Sequence, residues 1–205
     1  MKNLKIPAGF GEAEFTEKRS RFIGNVFYVT SEQEVAENLA ALRKKYWDSR
    51  HIVHAFVLED GTARFSDDGE PHGTAGKPVL SVIQGAEVVN CLITVVRYFG
   101  GTLLGTGGLV RAYGEAASSA LENAGVVETI PMGVYKINCS YDQYQQLSRL
   151  IDLSGGFDVN SEFLDSVNVT FTLPLCDEEK FTAELVTTFA ARLKAEKITE
   201  KMGKK

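Results

Sequence analysis

The chain has few cysteines, and none of them lies close to another. Its three cysteines, Cys91, Cys139 and Cys176, are far apart in 205 residues and form no C-x-x-C pair. This spacing argues against a zinc ribbon, which needs paired ligands, and against the disulfide framework of small secreted proteins. The cysteine content therefore fits a protein of the reducing cytosol.

Long apolar segments are also missing. The longest one, CLITVV at 91–96, is far shorter than the roughly 20 residues that a membrane-spanning helix needs. The first ten residues, MKNLKIPAGF, lack the apolar run of a signal peptide. We therefore expect a cytoplasmic protein that makes no contact with membranes.

The chain has no excess of basic charge. Its 22 Lys and Arg residues against 27 Asp and Glu residues give a formal net charge of −5. This balance argues against bulk electrostatic attraction to nucleic acid, and no DNA partner is expected, although a local basic patch is compatible with it. A hydrophobic content of 44% is enough for a buried core, and the length suits one large domain or two small ones.

Hydrophobic patterning predicts an α+β unit in the first part of the chain. A capping box formed by Ser31 and Glu34 marks the start of its first helix, and Gly125 is a stop signal for its last helix. The other predicted elements are two strands within 13–29, a strand at 51–58, a short helix at 76–85, a buried strand at 90–99 and a helix that follows the glycines after it.

The pattern restarts after Pro131, so we place a domain boundary between residues 131 and 132. Residues 132–205 show a strand, a helix, two alternating strands and a second helix that opens at Asp177, with a weak last strand near 197–201. This order predicts a ferredoxin-like split βαβ domain.

The stretch RYFGGTLLGTGGLVRAYGEA at 97–116 contains five glycines between Gly100 and Gly108, flanked by Arg97 and Arg111. Glycines between a strand and a helix can form an anion site at the helix N-terminus. However, the P-loop and G-x-G-x-x-G patterns are both absent. Positive φ angles, close backbone packing and a surface for a macromolecule remain as alternatives.

A second polar segment, SDDGEPHGTAGKP at 66–78, places Asp67, Asp68 and Glu70 close together. These carboxylates could hold a divalent ion or act as acid and base, but a well-ordered turn explains them too. His51 and His54 are three residues apart on a predicted strand, so their side chains should point to opposite faces. That geometry disfavours a two-histidine metal site, and no catalytic triad is indicated.

Two basic segments carry aromatic neighbours. EKRSRF at 17–22 and RKKY at 43–46 combine Lys and Arg with Phe22 and Tyr46. Basic and aromatic side chains together suit RNA, through phosphate contacts and base stacking. A charged turn and the C-terminus of a helix explain them equally well.

KRSRFIG, SDDGEPHGTAGKP and RYFGGTLLGTGGLVRAY together resemble the IMPACT/YigZ family of small cytosolic proteins. The resemblance implies a first domain (1–131) like domain IV of elongation factor G, with the β-α fold of a ribosomal protein. It implies a ferredoxin-like second domain (132–205) like domain V of that factor. Eukaryotic relatives modulate translation, whereas no enzymatic activity is established for the family as a whole.

The family motifs, carried onto this sequence, define the expected binding surface. Its residues are Arg21, His51, Asp67, Asp68, Glu70, Thr74, Lys77, Arg97, Tyr98, Gly100, Gly101, Gly105, Gly107, Gly108, Arg111 and Tyr113. The chain departs from the family at Val53, where Cys is frequent, and at Leu103, where Lys is frequent.

Our leading hypothesis is a non-catalytic, translation-associated protein that contacts RNA or a ribosome-associated protein through the glycine loop, without a cofactor. In this hypothesis Arg21, Arg97 and Arg111 contact phosphate or carboxylate groups. The alternative is an enzyme that binds a phosphorylated metabolite or nucleotide at the loop, with a metal on Asp67, Asp68 or Glu70. A third hypothesis is an adaptor that binds its partner through the second domain.

Overall fold

The computed structural model describes residues 3–204, which form two compact units. One unit spans Leu4–Glu128 and the other begins at Thr129. The domain boundary expected after residue 131 lies within the first strand of the second unit, Ile130–Cys139. No helix within the described residues is long and apolar enough to cross a membrane.

The first unit is built around a five-stranded antiparallel sheet with the strand order β2-β3-β6-β4-β5. Its strands are β1 (Lys5–Pro7), β2 (Gly11–Glu17), β3 (Ser20–Tyr28), β4 (His51–Val57), β5 (Ala63–Ser66), β6 (Cys91–Tyr98) and β7 (Val126–Glu128). Its helices are α1 (Glu32–Lys45), α2 (Gly76–Gly85) and α3 (Thr106–Ala124). β1 and β7 form a separate antiparallel pair.

Helices cover both faces of this sheet. Leu42 of α1 packs with Ile23 and Ile52 on one face, while α2 and α3 pack on the other face against side chains such as Phe22 and Val53. The central strand β6 is therefore buried along almost its whole length, as its continuous apolar sequence predicts.

The predicted ends of α1 and α3 are confirmed, with one correction at the capping box. The Ser31 hydroxyl accepts the backbone N–H of Glu34 at 3.2 Å. The Glu34 carboxylate, however, accepts the N–H of Thr30 at 2.7 Å and not that of Ser31, so it closes the turn one residue earlier. Gly125 ends α3 with a φ of 69°, a left-handed conformation that favours glycine.

The second unit follows the predicted βαββαβ order. Its elements are β8 (Ile130–Cys139), α4 (Tyr141–Leu153), β9 (Phe157–Phe163), β10 (Val167–Pro174), α5 (Glu178–Phe189) and β11 (Glu196–Gly203). The strands form one antiparallel sheet in the order β11-β8-β10-β9. This is the split βαβ arrangement, and the last strand is longer than its sequence predicted.

Candidate binding cleft beside the glycine loop

The glycine loop borders a cleft of about 450 Å³ in the first unit. The cleft is lined by residues 50–51, 69–71 and 103–106, together with Arg97 and Phe99 at the end of β6. It thus brings together three segments that are far apart in the sequence, at the end of the sheet where β4 starts and β6 stops.

A buried ion pair forms the floor of the cleft. The Arg97 guanidinium donates from Nη1 to Oε1 of Glu70 at 2.5 Å, and these residues are only 5% and 9% exposed. The Tyr113 hydroxyl donates to the same Glu70 oxygen at 2.7 Å. Arg97 also donates to the Ser20 hydroxyl at 3.4 Å. Arg97 therefore contacts a carboxylate of its own chain, whereas the sequence hypothesis gave it a phosphate or carboxylate of the partner.

His51 lies beside this ion pair. Its Nδ1 is 2.7 Å from the backbone carbonyl of Asp68, and its Nε2 is 3.8 Å from Oε1 of Glu70. The Asp68 carboxylate accepts the backbone N–H of Ile52 at 2.6 Å. The acidic turn therefore closes around the start of β4 and orients the His51 ring. His54 lies on the opposite face of β4, as its spacing predicts.

Asp67 holds the start of α2. Its carboxylate accepts the backbone N–H groups of Gly73, Ala75 and Gly76 at 2.8, 3.2 and 2.8 Å. Partial burial raises the pKa of Asp67, but these three donors favour the charged form more strongly. The net pKa lies below its usual value of 3.8. Asp67 thus supplies the cap that Ala75, the residue before α2, does not have.

Replacing Asp67 by asparagine is expected to lower the free energy of unfolding by about 1–3 kcal/mol at neutral pH, because the amide presents a donor to N–H groups that need an acceptor. The lowered pKa sets the pH dependence. The charged carboxylate stabilises the fold above pH 3.8, and this contribution is lost as the pH falls through the lower pKa of the folded state. Urea unfolding of both proteins from pH 7 to pH 3 measures it. A difference that grows at low pH would contradict this assignment.

The glycines of the loop have different structural roles. A Cβ atom on Gly100 would overlap the backbone carbonyl of Arg19, so Gly100 permits close packing of the loop on the β2–β3 turn. Gly101 and Gly105 have positive φ angles of 83° and 72°. A Cβ on Gly108 would lie 3.0 Å from Leu104, whereas one on Gly107 would have nothing within 4 Å among the described residues. Close packing and turn geometry therefore account for most of this glycine pattern.

The sheet separates two of the expected site residues from the others. Arg21 and Tyr98 are register partners of β3 and β6, and their side chains lie on the face opposite Phe22 and Arg97. Arg21 binds Glu14 in an exposed ion pair at 2.6 Å and lies over the Tyr98 ring at 5.6 Å. These two residues therefore lie on the face of the sheet that α1 covers, and not in the cleft.

The cleft lining also leaves out Thr74, Lys77 and Arg111, among other expected residues. The Thr74 hydroxyl donates to the backbone carbonyl of Pro71 at 2.6 Å and stabilises the turn before α2. Lys77 and Arg111 are exposed. Within residues 3–204, neither forms an ion pair with another side chain.

The acidic side chains at and near the cleft already accept hydrogen bonds from other groups of the chain. The Asp67 carboxylate accepts three backbone N–H groups, and the Glu70 carboxylate accepts hydrogen bonds from Arg97 and Tyr113. In the described part of the chain, no group of three or more His, Cys, Asp or Glu side chains could hold a metal ion. A metal-dependent reaction at Asp67, Asp68 or Glu70 would have to break these contacts first.

Comparison with known proteins identifies the family. The model of the Impact N-terminal domain matches residues 18–121, and a domain of unknown function (DUF1949) matches residues 137–192. The IMPACT family member YigZ of Escherichia coli is 34% identical over 189 residues, which cover 90% of this chain and 93% of that protein. The chain belongs to the IMPACT family.

A further family member and one solved structure agree with this assignment. The IMPACT family member YvyE of Bacillus subtilis is 40% identical over 133 residues, which cover 64% of this chain and 61% of YvyE. A crystal structure of a hypothetical protein is 33% identical, with a TM-score of 0.66 and coverage of 97% of this chain and 98% of that one. The structure of the two-domain translational regulator Yih1 is 27% identical over 57% of this chain and 47% of that one, and its TM-score of 0.38 supports no argument about the fold.

In this IMPACT family member, the two departures from the family motifs lie in different surroundings. Val53 is buried in the core between the sheet and helices α2 and α3. Leu103 is 81% exposed at the rim of the cleft, near the partly exposed Phe99. Leu103 and Phe99 therefore form an exposed apolar rim of the cleft.

The expected binding surface left out several residues of this region. Among them are Ser20, Arg50 and Phe99, which contact the Arg97 network or line the cleft. Ser20 and Phe99 stand inside the motifs that carry the family resemblance, so the motifs contained a signal for them. Nothing local in the sequence distinguishes Arg50 from the other basic residues around α1.

Proposed function

We propose that this protein is a non-catalytic binding protein of the cytoplasm that regulates translation. It contacts RNA or a ribosome-associated protein through the cleft and the glycine loop. The family resemblance supports the link to translation, since eukaryotic members of the family modulate it. In the same proposal the two domains correspond to domains IV and V of elongation factor G, with the boundary near residue 131.

One observation carries the binding role: the buried carboxylate on the floor of the cleft already has two donors within the chain, while the apolar rim of the cleft is exposed. Glu70 is paired with Arg97 and Tyr113. A general acid or base must reach a substrate proton directly or through one water, and Glu70 is already occupied. Phe99 and Leu103, in contrast, are 43% and 81% exposed beside the cleft. This arrangement offers shape and apolar area for a partner.

The uncapped N-terminus of α3 favours the alternative function. Gly105 precedes the helix without a side-chain cap, the first turn contains no acidic residue, and Gly105 and Thr106 line the cleft. Such a helix end can bind a phosphate group. The alternative is therefore an enzyme or receptor for a phosphorylated metabolite or nucleotide, and it shares the cleft with the proposed binding function.

Changing Leu103 to aspartate is expected to weaken co-sedimentation with bacterial ribosomes by about tenfold or more, because a charge would replace an apolar contact of the interface. The measurement is the fraction of tagged protein in the ribosomal part of a sucrose gradient at two salt concentrations. Leu164→Asp serves as the control, since Leu164 is 67% exposed in the second unit. Equal sedimentation of the Leu103→Asp variant and the parent protein would contradict the proposal.

The same gradient separates the alternatives when it is combined with a thermal-shift screen. A nucleotide that binds tightly would stabilise the parent protein by about 2.7 kcal/mol at a hundredfold excess over its dissociation constant. Stabilisation by a nucleotide with magnesium, without any ribosome association, would overturn the binding role in favour of the enzyme.

Deletion of residues 132–205 tests the third hypothesis, because an adaptor that binds through its second domain would lose its partner.

A further inference from the structure

We propose that the end of the first unit around Trp47 binds single-stranded RNA. Lys18, Arg19, Lys44 and Arg50 contact its phosphates, and one base stacks on the Trp47 ring. This inference rests on the proposed function, because it names RNA as the partner and extends the binding surface beyond the cleft. It does not depend on the apolar rim, so the two can be tested separately.

The surface, called the basic end below, consists of residues 17–21 and 43–50 together with Tyr98 and Gly100. The sheet brings these segments together, since β3 starts where β6 stops and Arg21 pairs with Tyr98. The Tyr98 hydroxyl donates to the Asp48 carboxylate at 2.9 Å, which holds the segment after α1 at this end. The tight contact of Gly100 with Arg19 adds the glycine loop, and Arg50 lines the cleft. The basic end and the cleft are therefore continuous.

The charge of the basic end is opposite to that of the whole chain. Residues 17–21 and 43–50 contain seven Lys and Arg against two Asp and Glu, although the chain has a net charge of −5. Three of these cations are paired, with Glu14, Glu12 and Asp68. The other four, within the part of the chain that the structure describes, are exposed and have no ion-pair partner: Lys18, Arg19, Lys44 and Arg50. A cluster of free cations attracts a polyanion.

Two of these cations occupy a turn that would be more stable with other residues. Glu17 and Ser20 are the last register pair of β2 and β3, so Lys18 and Arg19 form a two-residue hairpin loop. Both have positive φ angles, 46° and 67°, and loops of this kind strongly favour Asn-Gly because side chains clash with the left-handed backbone. Lys and Arg therefore strain this turn, and strained residues concentrate at functional sites.

An exposed tryptophan favours RNA over an acidic protein as the partner. Trp47, the only tryptophan of the chain, is 82% exposed, whereas the preceding Tyr46 is buried against the sheet. An exposed indole among free cations matches the combination used by proteins that bind single strands: a charged track for phosphates and a flat ring for bases. An acidic protein would use the cations but has no base to stack on the ring.

The test uses the full chain and a fluorescein-labelled oligouridine of 15 nucleotides. Binding is followed by anisotropy and by quenching of the Trp47 fluorescence, from low to physiological salt. We expect saturable quenching. The logarithm of the affinity should fall linearly with the logarithm of the salt concentration, with a slope of about −0.7 for each phosphate contact. Unlabelled RNA of the same length and an acidic peptide are the competitors, and the RNA should displace the probe more effectively.

The decisive variant is Lys18→Asn/Arg19→Gly, which relieves the strain and removes two charges. It should raise the melting temperature by about 2–4 °C and at the same time weaken RNA binding, with a salt slope smaller by about 1.4. A more stable protein that binds less cannot be explained by misfolding. Arg149→Gln/Lys180→Gln makes the same change of charge on exposed residues of the second unit and should leave binding unchanged.

Two single changes complete the test. Trp47→Ala should weaken binding at least fivefold, the equivalent of about 1 kcal/mol for one lost stacking contact, and abolish the quenching signal. Leu103→Lys adds a cation beside the basic end and should strengthen binding, with a slope larger by about 0.7.

Two results would overturn the proposal. One is the absence of binding to the oligonucleotide at low salt, and the other is unchanged binding in the Lys18→Asn/Arg19→Gly variant. If either occurs while Leu103→Asp still abolishes ribosome association, the partner at the cleft is a protein and the proposed function survives. If the acidic peptide displaces RNA and binds more tightly, the basic end recognises an acidic protein.

Discussion

Replacing Glu70 by alanine is expected to lower the free energy of unfolding by about 3–5 kcal/mol, because it leaves the buried Arg97 charge without its partner. The Arg97 guanidinium and the Glu70 carboxylate are 2.5 Å apart, with side chains 6% and 4% exposed. The Tyr113 hydroxyl would lose its acceptor as well. Urea unfolding of the variant and the parent protein measures the difference.

The exposed pair of Arg21 and Glu14 provides the matched control. It is also an arginine–glutamate pair, with contacts of 2.6 and 2.7 Å, but both side chains are about half exposed. Glu14→Ala should therefore cost less than about 1 kcal/mol. A double replacement, Glu70→Leu/Arg97→Met, should recover part of the loss, because no charge then remains buried. Equal costs for Glu70→Ala and Glu14→Ala would show that the buried network does not support the cleft.

A methyl group on Gly100 is expected to destabilise the first unit by about 1–3 kcal/mol or more. Its Cβ would overlap backbone atoms of Arg19 and Ser20, which cannot move as the end of a flexible side chain can. The Gly100 N–H also donates to the Ser20 hydroxyl at 3.2 Å, and this bond would be lost if the loop shifted. Thermal unfolding of Gly100→Ala is the measurement.

Gly107→Ala is the control from the same loop. Gly107 lies in the first turn of α3, and a Cβ added there would meet no described atom within 4 Å apart from its chain neighbours and the nearby backbone of its own helix. Alanine at this position should be neutral or stabilising by up to about 1 kcal/mol, since it is the better helix former. If both replacements were tolerated equally, the close approach of the loop to the β2–β3 turn would not be needed for the fold.

Hydrophobic periodicity and local punctuation predicted most of the secondary structure. The alanine-rich face of α3 and the glycine at its end, the helical spacing of α1, and the βαββαβ order after Pro131 are all present in the structure. These features depend on neighbours within a few residues, which is the distance over which side-chain period and capping act.

The candidate site was predicted only in part. The motifs drew attention to His51, Glu70 and Arg97, and the structure places these three residues together at the cleft. Spacing did not indicate that Glu70 pairs with Arg97, because the two residues are 27 positions apart in the sequence. It also grouped Arg21 and Tyr98 with Arg97, although the pleat places them on the other face of the sheet.

By itself, the sequence determined the family, the element order and the helix ends of this protein, since each of these is written in short motifs or local periodicity. Only the tertiary structure decided what the glycines are for and which charges are free. Gly100 needs its small size because of a turn 80 residues earlier, and Lys18 and Arg50 are unpaired because no acidic side chain of residues 3–204 reaches them in the fold. Contacts between distant segments are set by strand register and helix packing, and no local pattern reports them.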